Sequence, residues 1–305
     1  MAGFWLQPET KPKMLKIVEN ELITKKAEAV VDKQTGCDYM FENSRLQDLN
    51  LMYSMFKRDP QTLGLIIQKM NPYIEKRGEA IVNDEVNLKD PITFTQKLLN
   101  LKAEMDTMLK ESFDNSMLFQ KGRDSSFQNF MNTKQNTPHY LALYSHKELT
   151  SGLKGVSDEE TEERLDAIIR LFCCLHGRDV FMKAYVKHLA QRLLNKTMLS
   201  MEAEEVMLQK LKVECGLNQV NKMTQMFKDM QLSKDLQQQF RDHKKTALIG
   251  GVEFGIEVLT TGNWPVDNQP TCTIPPAMKT CTTDFERFYK NKHQNRNLLW
   301  LYHNG

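Results

Sequence analysis

The sequence has little that would tie it to a membrane, a nucleic acid or a disulfide framework. No apolar run reaches the ~18 residues needed to cross a bilayer, and no basic stretch followed by an apolar one marks an N-terminal signal. The net charge is only +2 over 305 residues, which does not favour nucleic-acid binding. The six cysteines show no regular spacing. We therefore expect a soluble protein of a reducing compartment, the cytoplasm and nucleus.

Motifs for catalysis and cofactor binding are also missing. The sequence contains no phosphate-binding loop, no dinucleotide fingerprint, no nucleophile elbow and no zinc-protease His-Glu-x-x-His motif. The nearest approach to a metal-binding set is Cys272, Cys281, His293 and His303, whose spacings match no usual zinc pattern. We therefore expect no catalytic residue, no bound metal and no cofactor.

The sequence does contain strong helical periodicity. Apolar residues recur at three- and four-residue spacing and predict about five amphipathic helices before Pro138. Short loops join them, as in a packed helical repeat. One of these helices is predicted to end near Gly78. The first helix is predicted to carry four apolar residues on one face: Leu15, Val18, Leu22 and Ile23.

Four further helices follow a glycine-containing connector that ends at Gly155. Their tight connections are typical of a bundle of antiparallel neighbours. Ser200 is predicted to cap the third of these helices and Gly216 to end it. The predicted bundle core consists of seven inward-facing residues: Phe181, Tyr185, Leu189, Leu193, Met207, Leu211 and Phe227.

A half-buried strand is predicted after the helices, at Val252–Leu259. Apolar and polar residues alternate there, which is the two-residue period of a strand. Gly262 and Pro265 end the run. Leu298–Tyr302 is the one later strand candidate, so we expect a sheet with an uncovered edge. Trp264 and Trp300 lie beside these stretches and could serve either as core residues or as contacts to a partner.

Several motifs resemble those of the cullin family, in the same order and at similar spacing. They are DVF at 179–181 with LAQRLL at 189–194, MLQKLKVECG at 207–216, MFKDM with SKDL at 226–236, VLTTGNWP at 258–265, and the stretch from Phe288-Tyr289 to Trp300. Two further stretches, Leu6–Thr10 and Cys272–Pro276, look most like the cullin branch whose adaptors carry BTB domains.

The resemblance implies a mainly α fold with three parts. These are a last five-helix cullin repeat (residues 1–152), a four-helix bundle (residues 153–245) and the beginning of an α/β domain (residues 246–305). It further implies a fragment truncated at both ends, without the first repeat that binds an adaptor. The winged helix is also missing, so we expect no modifiable lysine in this chain.

The function implied is that of a non-catalytic scaffold segment in a cullin-RING ubiquitin ligase. A RING-box subunit would add a strand to the uncovered sheet edge. Ligase assembly factors are further expected partners, whereas a substrate adaptor would need the missing N-terminal repeats. A free-standing helical module, or a decoy that sequesters cullin partners, remains the alternative. The candidate residues for RING-box binding are Val252, Phe254, Ile256, Val258, Leu259, Trp264 and Trp300.

Overall fold

The computed structural model describes residues 10–244, 248–249, 252–266 and 273–302. Within these residues the chain is mainly α-helical, which confirms the predicted fold class. It forms two compact units, one of residues 1–145 with 163–181 and one of residues 146–162 with 182–305. The division into a repeat, a bundle and an α/β domain at residues 152 and 245 stays a prediction.

A series of helices makes up the part of the chain before residue 148. They are α1 (Thr10–Glu19), α2 (Lys25–Val31), α3 (Cys37–Glu42), α4 (Leu46–Phe56), α5 (Leu63–Val82), α6 (Glu85–Lys89), α7 (Pro91–Ser112), α8 (Met117–Met131) and α9 (Thr137–Lys147). Short π-helical segments at Asn20–Thr24 and Glu148–Gly152 and a 3₁₀ turn at Pro60–Thr62 connect some of them.

Longer helices and a short hairpin follow. The helices are α10 (Asp158–Cys173), α11 (Arg178–Leu194), α12 (Met201–Cys215), α13 (Leu217–Lys244) and α14 (Pro276–Lys292). The strands β1 (Leu248–Ile249) and β2 (Val252–Glu253) pair antiparallel. Across the ladder, Leu248 faces Glu253 and Ile249 faces Val252. No helix in the described part of the chain is long and apolar enough to span a membrane.

An aromatic cluster forms part of the core of the first unit. The rings of Phe113 and Phe119 stack with their centroids 4.2 Å apart, and Tyr53 meets both edge-on at 5.8 and 5.6 Å. All three side chains are buried. Such offset and edge-on arrangements add to the gain from burying the large rings.

Gly78 lies inside α5 instead of ending it, so this part of the sequence prediction is wrong. The helix continues to Val82. A β-carbon at position 78 would collide with the ring of Phe130 on α8. Glycine at this position therefore allows α5 and α8 to approach closely, a packing role that the local sequence does not distinguish from a helix stop.

The apolar face predicted at the first helix is mostly exposed. Leu15, Val18 and Leu22 are 51%, 45% and 70% exposed, and only Ile23 is buried. Periodicity identifies the apolar face of a helix, but it does not say whether another element covers that face. No described element covers these three side chains.

The ends of α12 follow the sequence prediction. The Ser200 hydroxyl accepts a hydrogen bond from the Ala203 amide at 3.0 Å, which satisfies one of the free amides at the start of the helix. Gly216 ends the helix with a φ of 81°, a conformation that glycine adopts without a steric penalty.

The predicted strand is much shorter in the structure. Only Val252–Glu253 is a strand, and residues 254–260 have no regular secondary structure. Leu298–Leu301 likewise has no regular secondary structure. A strand is defined by backbone hydrogen bonds to a neighbour, and the short β1 is the one described strand that pairs with β2.

Candidate functional site

The candidate site is the stretch after β2, residues 254–264, which we call the post-strand segment. Phe254, Ile256 and Val258 are half-buried and pack on a cluster formed by α13 and α14. Gly255 between them is exposed. The apolar members of the predicted alternation therefore pack on the cluster, although not as a hydrogen-bonded strand. Of the residues between them, Glu257 is half-buried rather than exposed. The buried members of the cluster are Leu236, Phe240, Cys281, Phe285 and Tyr289.

Phe240 on α13 and Phe285 on α14 join the two helices within this cluster. The Phe240 ring meets Phe285 edge-on at 5.1 Å and Phe254 at 6.1 Å. Phe285 in turn meets Trp300 at 6.3 Å in a T-shaped contact. Two separate stretches of chain, one at Phe254 and one at Trp300, thus lie on the same pair of helices.

Ser233 on α13 binds both backbone groups of Val258. Its hydroxyl oxygen accepts from the Val258 amide at 2.6 Å and donates to the Val258 carbonyl at 2.9 Å. Ser233 is fully buried. A side chain thereby makes the two bonds that a neighbouring strand would otherwise make to this residue.

Asp229, one helical turn before Ser233, holds the end of the segment. It is 2% exposed. Oδ2 accepts from the Thr260 amide and the Trp264 indole, both at 2.8 Å, and Oδ1 accepts from the Thr260 hydroxyl at 2.7 Å. Gln225 donates a longer bond of 3.3 Å to Oδ1. The carboxylate therefore joins α13 to Thr260 and Trp264.

The electrostatics of Asp229 suit this role. Burial by itself raises the pKa of the carboxyl group, because it penalises the charged form. The hydrogen bonds from Thr260, Trp264 and Gln225 stabilise the charged form and outweigh that penalty, so the pKa of Asp229 lies below its usual value. Asp229 is therefore a charged acceptor, which makes stronger hydrogen bonds than a neutral one.

A turn brings Trp264 to the carboxylate. Gly262 has a φ of 87°, in the left-handed region that favours glycine. The Asn263 amide reaches back to the Thr260 carbonyl at 3.4 Å. Trp264 is 6% exposed, so in this structure it is a core residue rather than an exposed contact.

The backbone of the segment is largely unpaired within the described part of the chain. Apart from the β1–β2 ladder, no backbone–backbone hydrogen bond joins residues 254–258 to another described stretch. Leu259 is half-buried. Extended backbone with open amides and carbonyls is a template for pairing with another strand.

The stretch around Trp300 packs on the helices in the same alternating way as the post-strand segment. Leu298 and Trp300 pack on the α13–α14 cluster, while Leu299 between them is 72% exposed. The Trp300 indole donates to Glu286 on α14 at 2.6 Å, and its ring stacks on Tyr302 at 5.9 Å. The carboxylate of Glu286 therefore holds Trp300, as the carboxylate of Asp229 holds Trp264.

The residues predicted for the bundle core are mostly buried. Phe227 is the exception, since it is half-buried while its neighbour Met226 is fully buried. The other six are no more than 1% exposed: Phe181, Tyr185, Leu189, Leu193, Met207 and Leu211.

A buried ion pair that no sequence pattern indicated lies in the second unit. Arg192 and Glu204 are both fully buried and form a two-pronged ion pair. The Tyr185 hydroxyl donates to the same carboxylate at 3.3 Å, and burial raises the pKa of Tyr185 well above its usual value. Nδ1 of His146 lies 3.1 Å from Arg192, and the His146 ring stacks on His188 at 4.8 Å.

Asp229 and Ser233 were also missed as site residues. Their signal is a polar stripe on α13, with members four residues apart on one face. The four members of this stripe are Asp229, Ser233, Gln237 and Arg241.

Cation-binding geometry is not found among the described residues, where no group of three or more His, Cys, Asp or Glu side chains could hold a metal ion. Two members of the Cys–His set considered from the sequence, Cys272 and His303, lie outside the described residues. Among the candidate residues for partner binding, Val252 is described only by its backbone pairing with Ile249.

Comparison with known proteins identifies the family. A family model described as the cullin alpha solenoid domain matches residues 2–237, and one described as the cullin alpha+beta domain matches residues 258–305. Cullin-3 of Dictyostelium discoideum is 35% identical over 303 residues, and Cullin-3A of Arabidopsis thaliana is 32% identical over 300. Cullin-4 of Dictyostelium discoideum is 33% identical over 297 residues.

These alignments cover 97–98% of this chain but 36–41% of the relatives, so the chain spans about two fifths of their length. The two family models follow each other along the chain in the order solenoid, then alpha+beta domain, and together include the post-strand segment from Val258 onward. The chain belongs to the cullin family.

Proposed function

We propose that this chain is a non-catalytic scaffold segment of a cullin-RING ubiquitin ligase and that a RING-box subunit adds a strand at the post-strand segment. The observation that carries the proposal is the backbone of residues 254–257, which makes no backbone hydrogen bond to another described stretch and lies on a prebuilt apolar cluster. Membership of the cullin family supports the ligase context. The chain would act in the cytoplasm and nucleus.

Strand addition suits this geometry for a physical reason. Main-chain hydrogen bonds supply the affinity in this mode of recognition, and side-chain pockets supply the specificity. The helices α13 and α14 already cover one face of the segment. A partner strand would therefore need to supply only main-chain hydrogen bonds along the edge of the segment. Trp264 and Trp300 would act from within the core, as supports for the two stretches.

A pull-down with a RING-box subunit tests the partner. The subunit is co-expressed with the full chain, and we expect the two to purify together in stoichiometric amounts. The matched control is a chain with Val213→Asp, which changes an 81% exposed residue of α12 and should retain the subunit as the wild type does. Failure of the wild-type chain to retain the subunit would contradict the proposal.

Ubiquitin discharge tests the absence of chemistry. We expect a loaded conjugating enzyme to release ubiquitin no faster with this chain than with buffer, and faster once the RING-box subunit is added. Acceleration by the chain alone would overturn the scaffold proposal. Inhibition of a complete cullin ligase by added chain would instead favour the decoy function. Assembly factors, and an adaptor on any preceding repeats, are further proposed partners.

A further inference from the structure

The polar stripe of α13 contacts residues 253–264 in reverse order, so that later residues of the stripe contact earlier residues of that stretch. Because its members are four residues apart, they lie along one face of the helix and follow a stretch of chain that runs antiparallel to it. From the C-terminal end of α13, Arg241 lies 3.7 Å from Glu253, Gln237 lies beside Gly255, Ser233 binds Val258, and Asp229 binds Thr260 and Trp264.

The contacts of the stripe differ in strength. Glu253 is 76% exposed, so its long ion pair with Arg241 contributes little. Ser233 makes two neutral hydrogen bonds. Asp229 is the one buried charge of the stripe, and three of its bonds go to residues of the segment. Hydrogen bonds to a charged, desolvated acceptor are the strongest of the set.

We propose that Asp229 is the positioning residue of the strand-docking site. By fixing Thr260 and Trp264 on α13, it helps to hold the preceding residues on the aromatic cluster, with the backbone groups of residues 254–257 ready to pair. A preorganised segment does not lose its conformational freedom at the moment of binding, which improves affinity without new contacts. This role rests on the proposed function, since the ligand is the strand of a RING-box subunit.

Asp229→Asn tests the role with a minimal change in shape. The amide keeps one oxygen but places an NH₂ donor among the donors of Thr260 and Trp264. We expect the affinity for a RING-box subunit, measured by isothermal titration calorimetry, to fall about tenfold or more. Asp235→Asn is the matched control, because Asp235 is exposed on the same helix. It should leave the affinity unchanged.

A second control separates positioning from general stability. Leu189→Ala removes a fully buried side chain of α11 that does not belong to the cluster under the segment. It should lower the midpoint of denaturation while leaving the affinity of the folded chain unchanged. If Asp229 acted only through overall stability, Asp229→Asn and Leu189→Ala would affect the affinity in proportion to their effects on the midpoint.

The indole protons give a readout that needs no partner. The chain has three tryptophans, and those at 264 and 300 donate to different carboxylates. We expect Asp229→Asn to shift the Trp264 indole resonance and leave the Trp300 resonance in place, whereas Glu286→Gln should do the opposite. Amide exchange at residues 254–260 should become faster in Asp229→Asn.

The outcomes distinguish this role from the proposed function. If the wild type and Asp229→Asn bind the RING-box subunit equally, the positioning role is overturned and the proposed function stands. If neither binds, the proposed function fails and amide exchange decides the positioning role. Faster exchange at residues 254–260 in the variant would then support it, and unchanged exchange would overturn it.

Discussion

The aromatic cluster of the first unit and the post-strand segment of the second differ in how their backbone hydrogen-bonding groups are satisfied. Around Phe113 and Phe119 the backbone lies largely in helices, which satisfy their own amides and carbonyls, and the side chains only have to fill space. In the post-strand segment Phe254, Ile256 and Val258 are packed, but residues 254–257 make no backbone hydrogen bond to another described stretch.

The difference shows what each region needs from outside. A helical core is complete once its apolar face is covered, so it gains nothing specific from another chain. A packed but unpaired segment keeps backbone groups available, and side chains such as Asp229 and Ser233 hold it in place meanwhile. Stability and binding should therefore respond to different substitutions.

The largest expected effect lies in the aromatic cluster. Phe119→Ala should lower the free energy of unfolding by about 3–5 kcal/mol, because it removes a fully buried ring and leaves a cavity against Phe113 and Tyr53. Chemical denaturation followed by circular dichroism measures it. The control is Leu118→Ala at the neighbouring, 47% exposed position, which should change little. Equal costs at both positions would mean that the cluster is not the core of this unit.

Leu189 offers the corresponding test in the second unit. Leu189→Ala should cost about 2–5 kcal/mol of unfolding free energy, from lost burial and the cavity that remains. Val213→Ala, at an 81% exposed position of α12, is the matched control. An unchanged denaturation midpoint in Leu189→Ala would show that this face of α11 is not packed.

The pH dependence of stability should come in part from His146. Burial first, then the charge of Arg192 and the neighbouring His188, lower the pKa of His146 from 6.5 to about 4. Between these values the unfolded chain binds a proton that the folded chain does not, so stability falls as the pH is lowered through this window.

The measurement is the denaturation midpoint at several pH values from 7 to about 4. We expect His146→Gln to flatten the fall, because glutamine does not titrate. His139→Gln, at an exposed position, serves as the control and should leave the profile unchanged. A profile that is the same in the wild type and His146→Gln would exclude this histidine as a source of the pH dependence.

The helices could be predicted from the sequence because their signals are local. Periodicity predicts an amphipathic helix within a few turns, and residues such as Ser200 and Gly216 mark its ends. The same locality explains the errors. Neither the exposure of Leu22 nor the packing of Gly78 against Phe130 can be read from neighbouring residues, since both depend on elements distant in the chain.

The site was predictable only in outline. The alternation from Val252 to Val258 predicted which residues pack inward, and Phe254, Ile256 and Val258 do pack on the helical cluster. The anchors could not be predicted, because the bond from Asp229 to Trp264 joins residues 35 positions apart. An aspartate on a helix is usually solvated, so the residue type does not indicate an anchor. Its four-residue spacing from Ser233 indicates a binding face only when the segment is known to lie against α13.

The smallest effect on the unfolding free energy should come from Ser233→Ala. Together with a buried serine of the first unit, this variant compares the two regions directly. The change removes both bonds to Val258, so we expect a loss of about 1–2 kcal/mol in the unfolding free energy. Ser145→Ala is the matched control, because Ser145 is also fully buried on a helix but bonds the Leu141 carbonyl of its own helix at 2.8 Å. That carbonyl lies within a helix and can keep its backbone partner, so the control should cost less. Denaturation of both variants measures the difference, and equal losses would mean that Val258 does not depend on Ser233 as a substitute for a strand.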